Sequence, residues 1–216
     1  MKYKAVIFDL DGVICSTDEY HYKAWKKLAD KMNISFDRKV NERLRGVSRM
    51  ESLEIILKNY HGNMLSREEK DKLTEEKNQI YRESLSNMSE KDLSSEVKET
   101  LELLHNMGLK LAIGSSSKNT KYILKQIGLE SFFDAISDGT NIKKSKPDPE
   151  VFLKAAEFIH ENPENCLVVE DAEAGIDAAI AGHFDSAGIG TAVAHGKATY
   201  RLNSFQEIIK IVIGES

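Results

Sequence analysis

Short apolar runs recur along the chain and alternate with stretches in which apolar residues fall at helical spacing. The first run, Ala5-Val6-Ile7-Phe8, is unbroken and ends at Asp9. An unbroken run of this length is typical of a strand that is buried on both faces. Similar runs lie within residues 109–114, 133–136, 166–169 and 186–189. Strands that alternate with helices predict an α/β fold built on a Rossmann-like, doubly wound parallel sheet.

Capping residues predict where several helices of this fold begin and end. Apolar residues repeat at helical spacing over 97–104, and Gly108 follows as a C-cap. Asp148-Pro149 has the character of an N-cap followed by a first-turn proline. The segment Ser204-x-x-Glu207 predicts a capping box ahead of a last, C-terminal helix.

Residues 16–93 show helical periodicity only, with charged residues in the gaps between apolar ones. The apolar positions that repeat are Trp25, Leu28, Ala29 and Met32, then Leu53, Ile56, Leu57 and Tyr60, then Leu73, Ile80 and Met88. No strand-like run interrupts them. We therefore expect an all-helical cap domain, residues 16–93, inserted into a discontinuous α/β core of residues 1–15 and 94–216.

Composition and charge narrow the class of protein. The 216 residues carry a formal net charge of −5 without a basic stripe, which argues against nucleic acid or a membrane surface as a partner. No signal peptide and no membrane-spanning stretch is visible, so we expect a cytoplasmic protein, which we take to be monomeric. Cys15 and Cys166 fit no metal-binding spacing and are predicted to be free thiols.

Two pairs of carboxylates follow predicted strands. Asp9 and Asp11 end the first strand, and Glu170-Asp171 ends the strand at 166–169. Each pair alone would equally fit acids that begin a loop or cap a helix. Ligands of open parallel sheets bind at the carboxyl ends of the strands, so we expect the four acids at one edge. Carboxylates about 4 Å apart repel by about 4 kcal/mol at an effective dielectric constant near 20, so such a cluster needs cations, most simply Mg²⁺.

Hydroxyl and lysine side chains after other strands complete a predicted phosphate site. The segment Ser115-Ser116-Ser117-Lys118-Asn119 follows the strand at 109–114, and Lys146 stands in a segment stiffened by two prolines. Taken singly, these features fit helix capping and a surface lysine. Together with the carboxylates and Mg²⁺ they match a transferring phosphoryl group, whose negative charge lies on its oxygens.

The same motifs resemble those of the haloacid dehalogenase-like superfamily. Asp9-Leu10-Asp11-Gly12-Val13, Ser115, Lys146-Pro147 and Glu170-Asp171 occur in the order of its four motifs. The helical insert after the first motif is similar to a C1-type cap. Within the superfamily the chain resembles the β-phosphoglucomutase subfamily, through Thr17, Glu19-Tyr20-His21, Trp25, Gly46-Val47-Ser48-Arg49, Lys77-Asn78 and Ser117-Lys118-Asn119.

The resemblance implies a role for each of these residues. Asp9 would be the nucleophile that forms an aspartyl phosphate, and Asp11 the general acid and base. Mg²⁺ would be held by the Asp9 side chain, the Asp11 backbone carbonyl, Glu170 and Asp171. Ser115 and Lys146 would bind the transferring phosphoryl group. The other implied binding residues are Thr17, His21, Trp25, Gly46, Val47, Ser48, Arg49, Lys77, Asn78, Ser117, Lys118 and Asn119. Arg49 would bind a second phosphate, and Trp25 fits cap packing better than sugar stacking.

The sequence is compatible with three functions. The resemblance favours an isomerase that converts β-glucose 1-phosphate to glucose 6-phosphate through β-glucose 1,6-bisphosphate. The first alternative is a phosphatase of the same superfamily that acts on a small sugar phosphate. A phospho-accepting signalling domain also carries phosphate on an aspartate at a strand end, but it predicts one short domain without a helical insert.

Overall fold

The computed structural model describes residues 1–215, which form a six-stranded sheet, ten α-helices and three single-turn 3₁₀ helices. The strands are β1 (Ala5–Phe8), β2 (Lys110–Gly114), β3 (Ala135–Ser137), β4 (Cys166–Glu170), β5 (Asp185–Gly188) and β6 (Tyr200–Arg201). The helices are α1 (Asp18–Lys31), α2 (Arg38–Glu42), α3 (Arg49–Leu57), α4 (Arg67–Leu85), α5 (Ser95–Asn106), α6 (Thr120–Gln126), α7 (Glu150–Phe158), α8 (Glu173–Ala181), α9 (Ala192–His195) and α10 (Ile208–Ile213). The 3₁₀ helices are Glu90–Asp92, Pro163–Asn165 and Phe205–Glu207.

The sheet is parallel throughout and has the strand order β3-β2-β1-β4-β5-β6. β1 lies in the middle, and its residues alternate between two apolar clusters. Val6 and Phe8 face the cluster that includes α5, α6 and α10, whereas Ala5 and Ile7 face the cluster that includes α7 and α8. Helices on both faces explain why the strand is an unbroken apolar run, and they confirm the predicted doubly wound fold.

Several predicted boundaries need adjustment. β6 has only two residues and carries no apolar run that would have predicted it. The predicted capping box at Ser204 is wrong, because the Ser204 side chain caps nothing and Glu207 instead accepts from the Asn203 amide at 2.8 Å. The Asp148-Pro149 pattern predicts an N-cap at Asp148, but Pro149 is the N-cap and α7 begins at Glu150, one residue later than predicted. Both cysteines are free and buried, as predicted.

Helices α1 to α4 lie between β1 and β2 in the chain and have an apolar cluster of their own. Trp25, Leu28 and Leu53 are among its buried members. The buried face of α4 is different, since it includes Thr74, Lys77 and Asn78 and turns polar groups inward. We call residues 16–93 the cap; its limits as a domain stay a prediction.

No helix within residues 1–215 combines the length and the apolar composition that a membrane crossing requires. The cytoplasmic location expected from the sequence stays a prediction.

Candidate active site

A cavity of about 970 Å³ lies between the carboxyl ends of the strands and the cap. Its size is at the upper end for small-molecule sites. The predicted site residues that line it are Asp9, Asp11, His21, Trp25, Gly46, Val47, Ser48, Arg49, Lys77, Ser115, Ser117, Lys118, Asn119, Glu170 and Asp171. Three further predicted residues, Thr17, Asn78 and Lys146, are buried and hydrogen-bond to lining residues.

Three carboxylates form a compact cluster on the core side of this cavity. Asp9, Glu170 and Asp171 are buried, and each offers an oxygen within 4.8 Å of the others. An ion with metal–oxygen distances of about 2.1 Å holds opposite ligands about 4.2 Å apart, so this oxygen donor set fits a hard divalent cation. Burial raises the pKa of Asp171, and the negative charges of Glu170 and Asp9 raise it further.

Lys146 supplies a positive charge inside the same cluster. Its side chain is fully buried, and its ammonium group donates to Asp9 Oδ1 at 2.5 Å and to Glu170 Oε1 at 2.8 Å. These two carboxylates raise the pKa of Lys146 despite the opposing effect of burial. The lysine therefore stays charged and holds the two acids in place.

Two glycines allow the acids to approach this closely. A Cβ on Gly12, whose φ is +93°, would lie 2.1 Å from Asp171 Oδ2. A Cβ on Gly175, in the first turn of α8, would lie 1.8 Å from Glu170 Oε1. The carboxylates thus occupy space that any side chain at these positions would fill.

We expect Gly12→Ala to lower the free energy of unfolding by about 2 kcal/mol and to weaken catalysis, because the strained backbone and the displaced Asp171 carboxylate both contribute. Gly108→Ala is the matched control, since Gly108 has a φ of +82° but nothing within 4 Å of its Cβ position. Urea unfolding and turnover should be measured for both variants. Equal destabilisation with unchanged turnover would contradict this account.

Asp11 lies beside the cluster and has a different environment. Its Oδ1 accepts from the hydroxyl of Thr17, and its Oδ2 lies 4.0 Å from His21 Nε2. Burial, and then the negative charge of Asp9, raises the pKa of Asp11 to about 7. A carboxyl group with such a pKa can both donate and accept a proton near neutral pH.

The loop after β2 curls back on itself at the core side of the cavity. The Ser117 amide donates to Ser115 Oγ at 3.2 Å, and the Asn119 amide donates to Ser117 Oγ at 3.1 Å. Ser115 and Asn119 are buried, whereas Lys118 is exposed at the cavity. The hydroxyl of the neighbouring Ser116 is buried without a hydrogen-bond partner among the described residues.

Arg49 lies at the start of α3 on the cap side of the cavity. Its Nη2 donates to Asn78 Oδ1 at 2.8 Å, and Asn119 Nδ2 donates to the same oxygen at 2.9 Å. Asn78 therefore joins the cap to the loop after β2. Burial lowers the pKa of the Arg49 guanidinium, and the carboxylate of Glu75 lies 3.5 Å away.

Lys77 lies deeper in the cap beside aromatic side chains. Its Nζ is 2.8 Å from His21 Nδ1 and lies over the rings of Trp25 and Tyr81 at 4.9 and 4.4 Å. Burial, and then the charge of Arg49, lowers the pKa of Lys77. Burial also lowers the pKa of His21, with Lys77 adding to the effect. Trp25 is 2% exposed and packs in the cap cluster, as its apolar spacing predicted.

Gly46 lies close to the core. A Cβ built on Gly46 would be in van der Waals contact with Ala174 in the first turn of α8, at 3.5 Å from its Cβ. Ser48 caps α3, and its hydroxyl accepts from the Glu51 amide at 3.2 Å.

Sequence reasoning missed two charged residues of this site. Arg45 hydrogen-bonds to Asp171 across the cleft, and Asp18 accepts from the other arm of the same guanidinium. Each directly adjoins a motif residue, Gly46 or Thr17, and that adjacency is the one signal the sequence offers for them.

Comparisons with known proteins agree with this geometry. The model of the haloacid dehalogenase-like hydrolase family matches residues 3–183. The chain belongs to this family. It is 43% identical to a β-phosphoglucomutase from Bacillus subtilis over 189 residues, which are 87% of this chain and 83% of that protein. It is 30% identical to a phosphorylated carbohydrates phosphatase from Thermotoga maritima over 82% of this chain and 80% of that protein.

A solved structure is also similar to this chain over nearly the full length of both proteins. The crystal structure of β-phosphoglucomutase from Clostridium difficile superposes with a TM-score of 0.91 at 39% identity, covering 99% of this chain and 96% of that one. The superfamily expected from the motifs is thereby confirmed, and the protein is an enzyme of the phosphoryl-transfer type. Enzymes of this family use a metal ion, and Asp9, Glu170 and Asp171 form an acidic cluster that can hold one.

Proposed function

We propose that the protein is a β-phosphoglucomutase, which interconverts β-D-glucose 1-phosphate and glucose 6-phosphate through an aspartyl phosphate and β-glucose 1,6-bisphosphate. One observation carries the proposal. Asp9 and Arg49 line the same cavity, one from the core and one from the cap. A phosphatase needs to bind one phosphate, whereas a mutase must hold a bisphosphate at both ends.

Asp9 is the phosphoryl acceptor in this proposal. In the first half-reaction its carboxylate oxygen attacks phosphorus, and the bond between phosphorus and the sugar oxygen breaks. Lys146, which donates to Asp9 Oδ1, and Ser115 face the charge that spreads over the phosphoryl oxygens. Asp9, Glu170 and Asp171, with the backbone carbonyl of Asp11, would hold Mg²⁺. When bound, Mg²⁺ would offset the negative charge of the carboxylates and of the phosphoryl group.

Asp11 moves the proton. As the bond between phosphorus and the sugar oxygen breaks, protonated Asp11 donates its proton to that sugar oxygen. In the reverse transfer the ionised carboxylate takes the proton of the attacking sugar hydroxyl, and the bond between phosphorus and Asp9 breaks. The hydroxyl of Thr17, on the first turn into the cap, donates to Asp11 Oδ1. The orientation of Asp11 is thus tied to the segment that leads into the cap.

Arg49 binds the second phosphate of the bisphosphate. A guanidinium pairs with phosphate through two parallel hydrogen bonds, which fix the orientation of the phosphate. Asn78 holds the guanidinium through Nη2, and Lys118 and Asn119 lie on the core side of the same cavity. The bisphosphate can therefore be held with either phosphate at Asp9.

The relatives support the same sugar-phosphate chemistry. The proteins from Bacillus subtilis and Clostridium difficile are named β-phosphoglucomutases, and the one from Thermotoga maritima is named a phosphatase of phosphorylated carbohydrates. The phosphatase is the second candidate function for this chain. The cap-side guanidinium of Arg49, joined to the core through Asn78, favours the mutase over it.

A trapping experiment tests the proposed acceptor. The protein is mixed with Mg²⁺ and excess β-glucose 1,6-bisphosphate, quenched in acid within milliseconds and digested for mass spectrometry. We expect one phosphoryl group on the peptide that contains Asp9, formed together with a sugar monophosphate. Label on another residue would refute Asp9 as the acceptor.

A further inference from the structure

Arg45 lies in the loop between α2 and α3 and reaches across the cleft to the core. Its Nη1 donates to Asp171 Oδ2 at 2.7 Å, and its Nη2 donates to Asp18 at the start of α1. The side chain is 26% exposed, and the Asp171 side chain is 7% exposed. This contact is therefore a largely buried bridge from the cap to an acid of the carboxylate cluster.

Two side-chain cations share the three carboxylates of the cluster. Lys146 bonds to Asp9 and Glu170, and Arg45 bonds to Asp171. Lys146 stands in the segment before α7, on the core side of the cavity, and bonds to the cluster from there. Arg45 stands in the cap, so any movement of the cap away from the core would take its charge away from the cluster.

A positive charge that lies near the cluster only when the cap rests on the core would lower the affinity of the cluster for another cation in that arrangement. Asp171 Oδ2 accepts from Arg45 at a normal hydrogen-bond length, and like charges at neighbouring positions repel. Asp18 holds the second arm of the guanidinium and aims the first one at Asp171.

We propose that Arg45 is a cap-borne counter-ion of the carboxylate cluster and lowers its affinity for a divalent cation when the cap rests on the core. The inference depends on the metal site of the proposed function. Beyond the proposed function, the inference states that the Arg45 side chain couples the metal affinity of the carboxylate cluster to the position of the cap. By thermodynamic reciprocity, a bound divalent cation then weakens the contact of the cap with the core to the same degree.

Calorimetric titration of the full-length protein with Mg²⁺ or Mn²⁺, without sugar phosphate, tests the inference. We expect Arg45→Met, which keeps much of the aliphatic stem but removes the charge, to bind the cation about tenfold more tightly, within the range usual for coupled sites. Arg43→Met is the matched control, because Arg43 is exposed in the same loop region. We expect the affinity of Arg43→Met for the cation to stay within about twofold of that of the parent protein, because Arg43 is not expected to be coupled to the site.

An unchanged affinity in Arg45→Met would overturn the inference, and so would a weaker affinity in this variant or an equal gain in Arg43→Met. If Arg45→Met does not fold, Arg45→Gln replaces it and is expected to change the affinity in the same direction. If the parent protein binds neither cation, the proposed metal site fails and the inference fails with it. If the parent and Arg45→Met bind equally well, the inference alone fails.

Hydrogen exchange supplies the reciprocal measurement. Adding the cation to the parent protein should speed amide exchange in the cap segment 41–48, and this effect should be absent in Arg45→Met. Exchange that slows equally in both proteins would mean that the cation tightens the cap independently of Arg45, and it would overturn the coupling.

Discussion

Replacing Asp9 with asparagine is expected to lower turnover by at least about four orders of magnitude, as is usual when a covalent nucleophile is removed. The amide keeps the size of the side chain but loses the negative charge and the nucleophilic oxygen pair. Lys146 retains Glu170 as a partner, so the variant should still fold. No phosphoenzyme should form with β-glucose 1,6-bisphosphate.

Rapid-quench labelling and steady-state turnover measure this effect together. Asp30→Asn is the control, because Asp30 is exposed on the cap and pairs only with Lys26 among the described residues. It removes the same charge from the protein without touching the cavity, and we expect parental turnover. Asp9→Asn protein that retains substantial mutase turnover would show that another residue accepts the phosphoryl group.

Arg49→Ala is expected to lower mutase turnover about 100-fold while leaving hydrolysis of acetyl phosphate within a few-fold of the parent. The magnitude follows from the loss of a buried, hydrogen-bonded charge partner, which costs about 2–5 kcal/mol. Acetyl phosphate has one phosphate, which occupies the Asp9 end and does not need Arg49. In each half-reaction the bisphosphate has one phosphate at Asp9 and the other at Arg49.

The ratio of the two activities separates a binding role from general damage. Arg43→Ala is the control, since it removes an exposed arginine from the same part of the cap. Both of its activities should match those of the parent. Equal losses of mutase turnover and acetyl phosphate hydrolysis in Arg49→Ala would mean that Arg49 supports the fold of the cap and does not bind the distal phosphate.

The sheet and its acidic edge could be predicted because short segments of the sequence show them directly. β1 and β4 are apolar runs without interruption, and each ends in carboxylates that a buried strand would otherwise exclude. Parallel strands bring their carboxyl ends together, so the sequence predicted that Asp9, Asp11, Glu170 and Asp171 meet at one edge. It did not predict that the Asp11 carboxylate accepts from Thr17 and stands outside the cluster of the other three. β6 has no such signal, because two hydrogen-bonded residues at a sheet edge need no apolar run.

The cap side of the cavity was harder to predict, because its helices bury polar residues. Spacing of apolar residues on α4 selects Leu73 and Ile80, which are only partly buried, whereas Lys77 and Asn78 are buried against the cleft. From sequence alone, a lysine on a helix is expected to be exposed to solvent, because the residues that pack around it in the fold are not known. Arg45 was missed for the same reason, since its partners Asp18 and Asp171 lie 27 and 126 residues away in the sequence.

The distribution of products distinguishes a mutase from a phosphatase most directly. The protein is supplied with β-glucose 1-phosphate, Mg²⁺ and a trace of β-glucose 1,6-bisphosphate, and glucose 6-phosphate and free phosphate are measured in the same reaction. For a β-phosphoglucomutase we expect glucose 6-phosphate to make up nearly all of the product and its formation to depend on the bisphosphate. Free phosphate as the main product would contradict the mutase and identify the enzyme as a sugar-phosphate phosphatase.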